Sequence, residues 1–351
     1  MTGGIVDLRD CAESNRFYGG RAGRKVGIVI DGEPWIAKFP RTTKDLKGKH
    51  LPSYTSSPVS EYIGSHIYAS LGIPAHETML GYFQGKIVCA CKDFCYPDKE
   101  LYEFRELKNS TPDDSTGFSG TPSDGEAIFL SDVLASIEIV GVLRSTPGVL
   151  DRFWDMFVVD AFIKNPDRNN GNWGLLKTKG GGFELAPVYD CGSGLFSKRS
   201  ASFARERLGD QRLIEQDAFG TNVSCYRLAT EDDPRGKAIH PFDYMMKSDN
   251  HDLAAAIIRF ADRIDMDAIG AIVDSVPEEA FGTIIMDEGA RESHKVLLRT
   301  RYEEGILPAL EHASGIASSP AARYNMAKEV ARAESKGIDG GFAKEARNAK
   351  R

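Results

Sequence analysis

The chain has 351 residues, enough for two packed parts around a shared cleft, because single hydrophobic cores stop growing near ~250–300 residues. Hydrophobic residues at 41% and charged residues at 27% are ordinary for a globular protein, and a formal net charge of -7 leaves no basic excess for nucleic-acid phosphates, so direct nucleic-acid binding is not expected. No apolar run approaches the ~20 residues that span a bilayer, and Met1–Asp10 lacks a signal peptide's apolar core; a cytoplasmic location is expected, while secretion by another route leaves no such mark.

In chain order, the first feature is Tyr18–Lys25, rich in glycine and positive charge. Val26–Ile30 and Trp35–Phe39 are apolar, β-branched or aromatic runs on either side of Asp31-Gly32, which predicts a β-hairpin. A polar loop, Arg41–Ser57, leads to Ser60 as a helix N-cap, with Glu61 in the first turn and the helix stopping at Gly72. Glu77–Tyr82 and Lys86–Cys91 predict two more strands joined by Gln84-Gly85. Three of the six cysteines, Cys89, Cys91 and Cys95, crowd the second of these strands and its end. Paired CxxC spacing and histidines at ligand intervals are both missing, so buried thiols are expected there rather than a zinc site.

Residues 108–126 predict a surface loop. Helical periodicity then marks Phe129–Val142, Pro147–Lys164, Asp252–Ile264, Asp267–Ser275, Arg291–Glu304 and Tyr324–Ser335, and residues 336–351 read as a disordered tail. The expected fold class is α+β, with a small β-rich part over residues 1–107 and a larger helical part over 127–335.

The segment Asn165-Pro166-Asp167-Arg168-Asn169-Asn170-Gly171-Asn172 follows an apolar helix. After it come a strand (Trp173–Leu176), the turn Gly180–Gly182, a second strand (Phe183–Val188) and Tyr189-Asp190-Cys191-Gly192. Such an Asn/Asp/Gly/Pro run is also what a plain turn uses. As a calcium loop counted from Asp167 it fails, with Asn172 where glycine is needed and Thr178 where glutamate is needed. Phosphoryl transfer from ATP needs a carboxylate to orient the acceptor hydroxyl, and an amide oxygen with a second carboxylate to hold Mg2+. Asp167, Asn172 and Asp190 supply these in the order and spacing of D-x-x-x-x-N followed by Asp-x-Gly. Independently, Lys38 sits inside an apolar strand, where an unpaired ammonium is costly, and Glu61 opens the following helix as its partner. Gly19, Gly20 and Gly23 fit a phosphate-covering turn, though their spacing matches neither G-x-x-x-x-G-K-[ST] nor G-x-G-x-x-G.

These blocks, with Ile36–Pro40, Ser60–Gly64, Ile87–Phe94 and Leu185–Asp190, resemble the HipA-like serine/threonine kinases, most closely the compact branch of cell-translocating kinase A, over residues 15–310. The resemblance implies a bilobal protein-kinase-like fold and an ATP- and Mg2+-dependent bacterial protein kinase that phosphorylates itself as well as a protein substrate. It assigns the phosphate lysine to Lys38, the helix glutamate to Glu61, the base to Asp167, the metal ligands to Asn172 and Asp190, and an adenine hinge to Cys91, Lys92, Asp93 and Phe94. An antitoxin partner is implied by the family alone. Asn165-Pro166-Asp167 stands where His-Arg-Asp is usual, so phosphate sensing by that arginine is not expected. Asp167–Asn172 is similar to phosphatidylinositol kinases as well, which keeps a lipid or small-molecule acceptor as the alternative. Ser53, Thr55, Ser56 and Ser57, between the Lys38 strand and the Glu61 helix, are candidate self-phosphorylation sites.

Overall fold

The computed structural model describes residues 4–16, 18, 23–46, 51–109, 128–220, 223–230 and 233–318. Gly19, Gly20, the Tyr324–Ser335 helix, the 336–351 tail and all of the 108–126 loop but Lys108 and Asn109 lie outside the described residues. The architecture is mixed α+β.

Five strands build the first sheet: β1 (Val6–Asp7), β2 (Lys25–Ile30), β3 (Glu33–Lys38), β4 (Thr78–Phe83) and β5 (Lys86–Lys92), in the order β1-β4-β5-β3-β2. Two hairpins dominate it. Asp31 and Gly32 both take positive φ (50° and 80°), as do Gln84 and Gly85 (46° and 76°), which matches the twist of tight two-residue hairpin turns. Register places Lys38 opposite Cys89 and Ile36 opposite Cys91. Because strand side chains alternate, Ala37, Trp35, Ala90 and Val88 pack on the other face with Leu8, Ile28, Phe39 and Phe83.

The Lys38 face is covered by helix α1 (Ser57–Ser70), which buries Val59, Ile63 and Ile67. The helix begins four residues earlier than an N-cap at Ser60 would give. Pro58 favours the first helical turn, so Ser56 becomes the N-cap residue and Glu61 moves into the second turn. It still ends at Gly72, whose φ of 72° only glycine takes without strain.

The first sheet ends earlier than residue 107. Strand Lys99–Glu103 pairs instead with Gly174–Thr178, which in turn pairs with Phe183–Leu185. Lys108 and Asn109 close the short helix Phe104–Asn109 rather than open a loop. Further on, the helix expected over Phe129–Val142 divides at Val140, whose extended backbone separates Leu130–Ile139 from Gly141–Ser145.

Helix Val149–Phe162 is the axis of the second part and buries most of its length, with Phe153, Trp154, Val158 and Phe162 in the core and Asp151 exposed. Helix His251–Ala261 packs beside it, and helix Leu307–Ala317 packs in turn against His251–Ala261. Arg301, at the end of helix Glu288–Arg301, is completely buried and donates from Nε to Ala161 O and Phe162 O, both at 3.0 Å. This staples the carbonyl end of the axial helix just before Asn165–Asn172, supplying donors for carbonyls that the helix itself leaves unpaired. No helix among the described residues is long and apolar enough to cross a membrane.

Trp154 lies at the centre of this core with no exposed surface. Trp154→Ala is expected to lower the unfolding free energy by ~3–5 kcal/mol in a urea titration. A loss below ~1 kcal/mol, the level of a surface change, would contradict the packing described.

Candidate active site

Lys38 leaves the end of β3 and reaches across to two carboxylates. Its Nζ lies 2.8 Å from Glu61 Oε1 and 2.7 Å from Asp190 Oδ1. Glu61 is almost fully buried and is held from two further directions. His76 Nε2 stands 3.1 Å from Oε1, and the backbone N–H of Asp190 donates to the same oxygen at 3.1 Å. The approach of α1 to the Asp190 loop is close enough to require glycine on both sides. A Cβ on Gly64 would meet Cys191 Cβ at 2.6 Å, and one on Gly192 would meet Glu61 Oε2 at 2.9 Å. Asp190 itself takes a left-handed φ of 62°, a conformation that aspartate tolerates and that recurs at functional sites.

The loop after the axial helix is organised by a buried arginine. Arg168 pairs with Asp160 through Nε–Oδ2 at 2.7 Å and Nη2–Oδ1 at 3.1 Å. Its Nη1 donates to Asn172 O at 2.7 Å and also to Tyr189 O. One nitrogen therefore ties residue 172 to the residue before Asp190. Asn165 Nδ2 adds a bond to Asp160 Oδ1 at 2.9 Å, and Tyr226 Oη donates to Arg168 O at 2.8 Å. Every donor direction of the guanidinium is used, as a buried charge requires.

Both carboxylate oxygens of Asp167 are held: Asn169 Nδ2 donates to Oδ1 at 3.0 Å and Ser193 Oγ to Oδ2 at 3.3 Å. Asn172 Nδ2 donates to Asp167 O at 2.6 Å, which orients the amide and leaves its oxygen as the end able to accept a cation. The structure thus gathers Lys38, Glu61 and Asp190 directly, and joins Asp167 and Asn172 to them through Arg168 and Ser193.

Of the remaining candidates, Gly23 (φ 77°) precedes β2, and Gly19 and Gly20 lie outside the described residues. Cys91 and Lys92 end β5. The amides of Lys92 and Asp93 already donate to Glu77 O and Pro34 O at 2.9 and 3.0 Å, and the Asp93 carboxylate holds Tyr18 Oη and Arg16. Phe94 packs against Tyr189 with ring centroids 5.7 Å apart. Four residues at the site were not singled out from sequence: His76, Asp160, Arg168 in its buried role, and Ser193. Asp160 carried a usable signal, a lone carboxylate inside Val158-Val159-Asp160-Ala161-Phe162.

A family model described as the HipA-like C-terminal domain matches residues 20–230. The serine/threonine-protein kinase CtkA of Helicobacter pylori strain J99 is 33% identical over 302 residues, 85% of this chain and 84% of that protein. The crystal structure of a Helicobacter pylori proinflammatory kinase CtkA superposes with a TM-score of 0.78 at 29% identity, covering 90% of this chain and 100% of that one. A chain from the Shewanella oneidensis MR-1 complex of HipA, HipB and operator DNA aligns at 14% identity over 85% of this chain and 69% of its own, with a TM-score of 0.42.

Burial opposes charge on all three groups of the Lys38 cluster, and mutual attraction overrides it. The Asp190 and Glu61 carboxylates raise the Lys38 ammonium well above its ordinary 10.5. Lys38, aided by His76, lowers Glu61 below its ordinary 4.5, and Lys38 likewise lowers Asp190 below 3.8. The carboxylates therefore contribute stability in full above their ordinary values and lose it as pH falls through the folded ones. Lys38 contributes in full below 10.5 and loses it only as pH climbs past its raised folded value. Glu61→Gln is expected to flatten the fall in unfolding free energy between about pH 5 and pH 3, followed by denaturant titration. A slope identical to that of the unsubstituted protein would contradict the pairing.

Proposed function

The chain belongs to the HipA-like family, and from that membership we propose that it is an ATP- and Mg2+-dependent protein serine/threonine kinase built as two lobes around the Lys38–Asp190 cleft. The front lobe is the five-stranded sheet with α1, and the back lobe is the part built on Val149–Phe162. The observation that carries the reading is the Lys38 ammonium shared between Glu61 and Asp190. It joins a strand of the first lobe, its helix and the metal loop of the second in the arrangement a phosphate-binding lysine needs.

The donor set suits magnesium. Asp190 spends Oδ1 on Lys38, which leaves Oδ2, and Asn172 spends its NH2 group on Asp167 O, which leaves its amide oxygen. Both free atoms are hard oxygens of the kind Mg2+ prefers, with no sulfur or nitrogen between them. Bound there, the cation supplies neutralisation of phosphate charge.

Lys38 binds the α- and β-phosphate oxygens, and Glu61 and His76 keep its side chain from collapsing onto Asp190 alone. Asp167 accepts a hydrogen bond from the acceptor hydroxyl and takes its proton as the new P–O bond forms and the bond from the γ-phosphorus to the bridging oxygen breaks, with ADP leaving. Ser193 already places one hydroxyl on Asp167 Oδ2, so that oxygen is within reach of an alcohol donor. Arg168 touches no substrate; it positions Asn172 and Asp190 relative to Asp167. Adenine rests against the end of β5, near Phe94. The acceptor is a serine or threonine of a protein, by likeness to the relatives.

Self-phosphorylation falls on Ser53. Among the four candidate hydroxyls, Ser53 is exposed, whereas Thr55 and Ser57 bond each other at 2.9 Å and Ser56 bonds Ser197 O. Phosphopeptide mapping after incubation with ATP is expected to find phosphate on Ser53, and phosphate on Thr55 instead would overturn that choice.

Asp167→Ala is expected to lower γ-phosphate transfer by ~100-fold or more while retaining Mg2+-dependent ATP binding. Asp190→Ala is expected to lose the Mg2+ dependence of binding itself, read by thermal shift with and without the cation. Transfer by Asp167→Ala at the unsubstituted rate would contradict the assignment.

A further inference from the structure

Beneath the Lys38–Glu61 pair lies a cluster that phosphotransfer does not call for. Glu61 from α1, His76 from the segment between α1 and β4, and Cys91 from β5 are all buried, and one ligating atom of each lies within 4.8 Å of the other two. Cys89 Sγ stands 3.9 Å from Cys91 Sγ. Alternation along β5 explains the pair: Ala90 faces the opposite cluster of the sheet, so Cys89 and Cys91 share the face turned to α1.

Two of the spacings match edges of a tetrahedral site. Zinc bonds of about 2.0–2.1 Å to nitrogen or oxygen and 2.3 Å to sulfur give ligand–ligand edges of about 3.3 Å and 3.8 Å. Glu61 Oε1 and His76 Nε2 are 3.1 Å apart, and the two sulfurs 3.9 Å. Spacing along the sequence gives no hint of this, because the histidine arrives through the fold rather than from the cysteine segment. Lys38, bonded to Glu61, and Asp190 beside it are 17% and 28% exposed at their side chains.

We propose that Glu61, His76 and Cys91, with Cys89 at their edge, form a binding site for a thiophilic divalent cation such as zinc, whose occupancy switches off phosphoryl transfer by drawing the Glu61 carboxylate away from Lys38. Binding releases the Cys91 thiol proton to solvent and moves the His76 proton from Nε2 to Nδ1, so that the neutral imidazole ligates through Nε2, and the resulting thiolate and the Glu61 carboxylate balance the two positive charges of the metal. Lys38 keeps only Asp190, and the geometry that aims it at nucleotide phosphates is lost. The inhibitory half rests on the phosphotransfer reading above; the metal site does not.

The test uses the full chain, reduced and stripped with a chelator, titrated with Co2+ alone as a coloured probe. A sulfur-to-cobalt charge-transfer absorption saturating at a single equivalent, bleached by Zn2+, is expected. Cys91→Ser should lose that absorption, and His76→Ala should weaken binding by more than the ~10-fold that loss of even an outer-shell partner costs. Should either variant fold poorly, the unsubstituted chain still decides: Zn2+ should slow alkylation of Cys89 and Cys91 but not of Cys11, read by mass spectrometry. Absence of the charge-transfer absorption, its survival in Cys91→Ser, or unprotected Cys91 would each overturn the site. In the active enzyme, Zn2+ should suppress transfer in a way that excess Mg-ATP does not relieve and a chelator reverses. Zinc binding with undiminished transfer would overturn the switch. A chain inactive under every condition would count against the phosphotransfer reading and leave the cobalt titration to judge the site.

Discussion

One ammonium group sets the relation between the two parts of the molecule. Lys38 comes from sheet strand β3, and it is satisfied only when α1 brings Glu61 and the Cys191 loop brings Asp190 within hydrogen-bond distance. A charge in such surroundings is tolerated only with good geometry and full hydrogen bonding, because desolvation otherwise exceeds the attraction. The requirement propagates outward. It selects glycine at 64 and 192, where a larger residue would push helix and loop apart. It also makes the buried His76 useful, as a donor to the Glu61 oxygen that Lys38 also uses.

A second buried pair does the same for the loop that follows the axial helix. Asp160, inside the axial helix, fixes Arg168, and Arg168 in turn fixes the carbonyls of Asn172 and Tyr189. Two charge clusters thus meet at residues 189–191: Lys38 holds the Asp190 side chain, and Arg168 holds the backbone just before it. Neither cluster needs to add net stability for this role. Their value lies in allowing one arrangement, since a displaced partner would leave a buried charge uncompensated. The aromatic packing of Phe153, Trp154 and Trp173 around the axial helix supplies the rigid base on which both stand.

The parts of this site visible in the sequence were those with local signatures. Asp167 and Asn172 share one loop, Asp190 follows the next hairpin, and Lys38 is conspicuous as a charge in an apolar strand. Glu61 was found on the right helix, though Pro58 rather than Ser60 governs where that helix begins. What remained hidden depended on long-range placement. Strand Lys99–Glu103 has no pattern of its own that says it pairs with Gly174–Thr178 instead of β5. Arg168 looked like a loop residue because its partner Asp160 lies eight residues back, in a helix whose periodicity drew attention to its apolar side chains. His76 follows Ile73-Pro74 with nothing to mark it until the fold sets it beside Glu61 and Cys91. The short helices between residues 201 and 245, and the strands 226–230 and 233–238, were missed because runs of five to seven residues carry too little periodicity to stand out.

The account depends most on Lys38, Glu61 and Asp190 serving transfer of the terminal phosphate rather than of the nucleotide. Incubating the purified chain and a protein acceptor with ATP labelled at either the α- or the γ-phosphorus separates the two directly. The account predicts Mg2+-dependent label on serine or threonine from γ-labelled ATP and none from α-labelled ATP. Label transferred from the α position, or no Mg2+-dependent transfer at all, would contradict it.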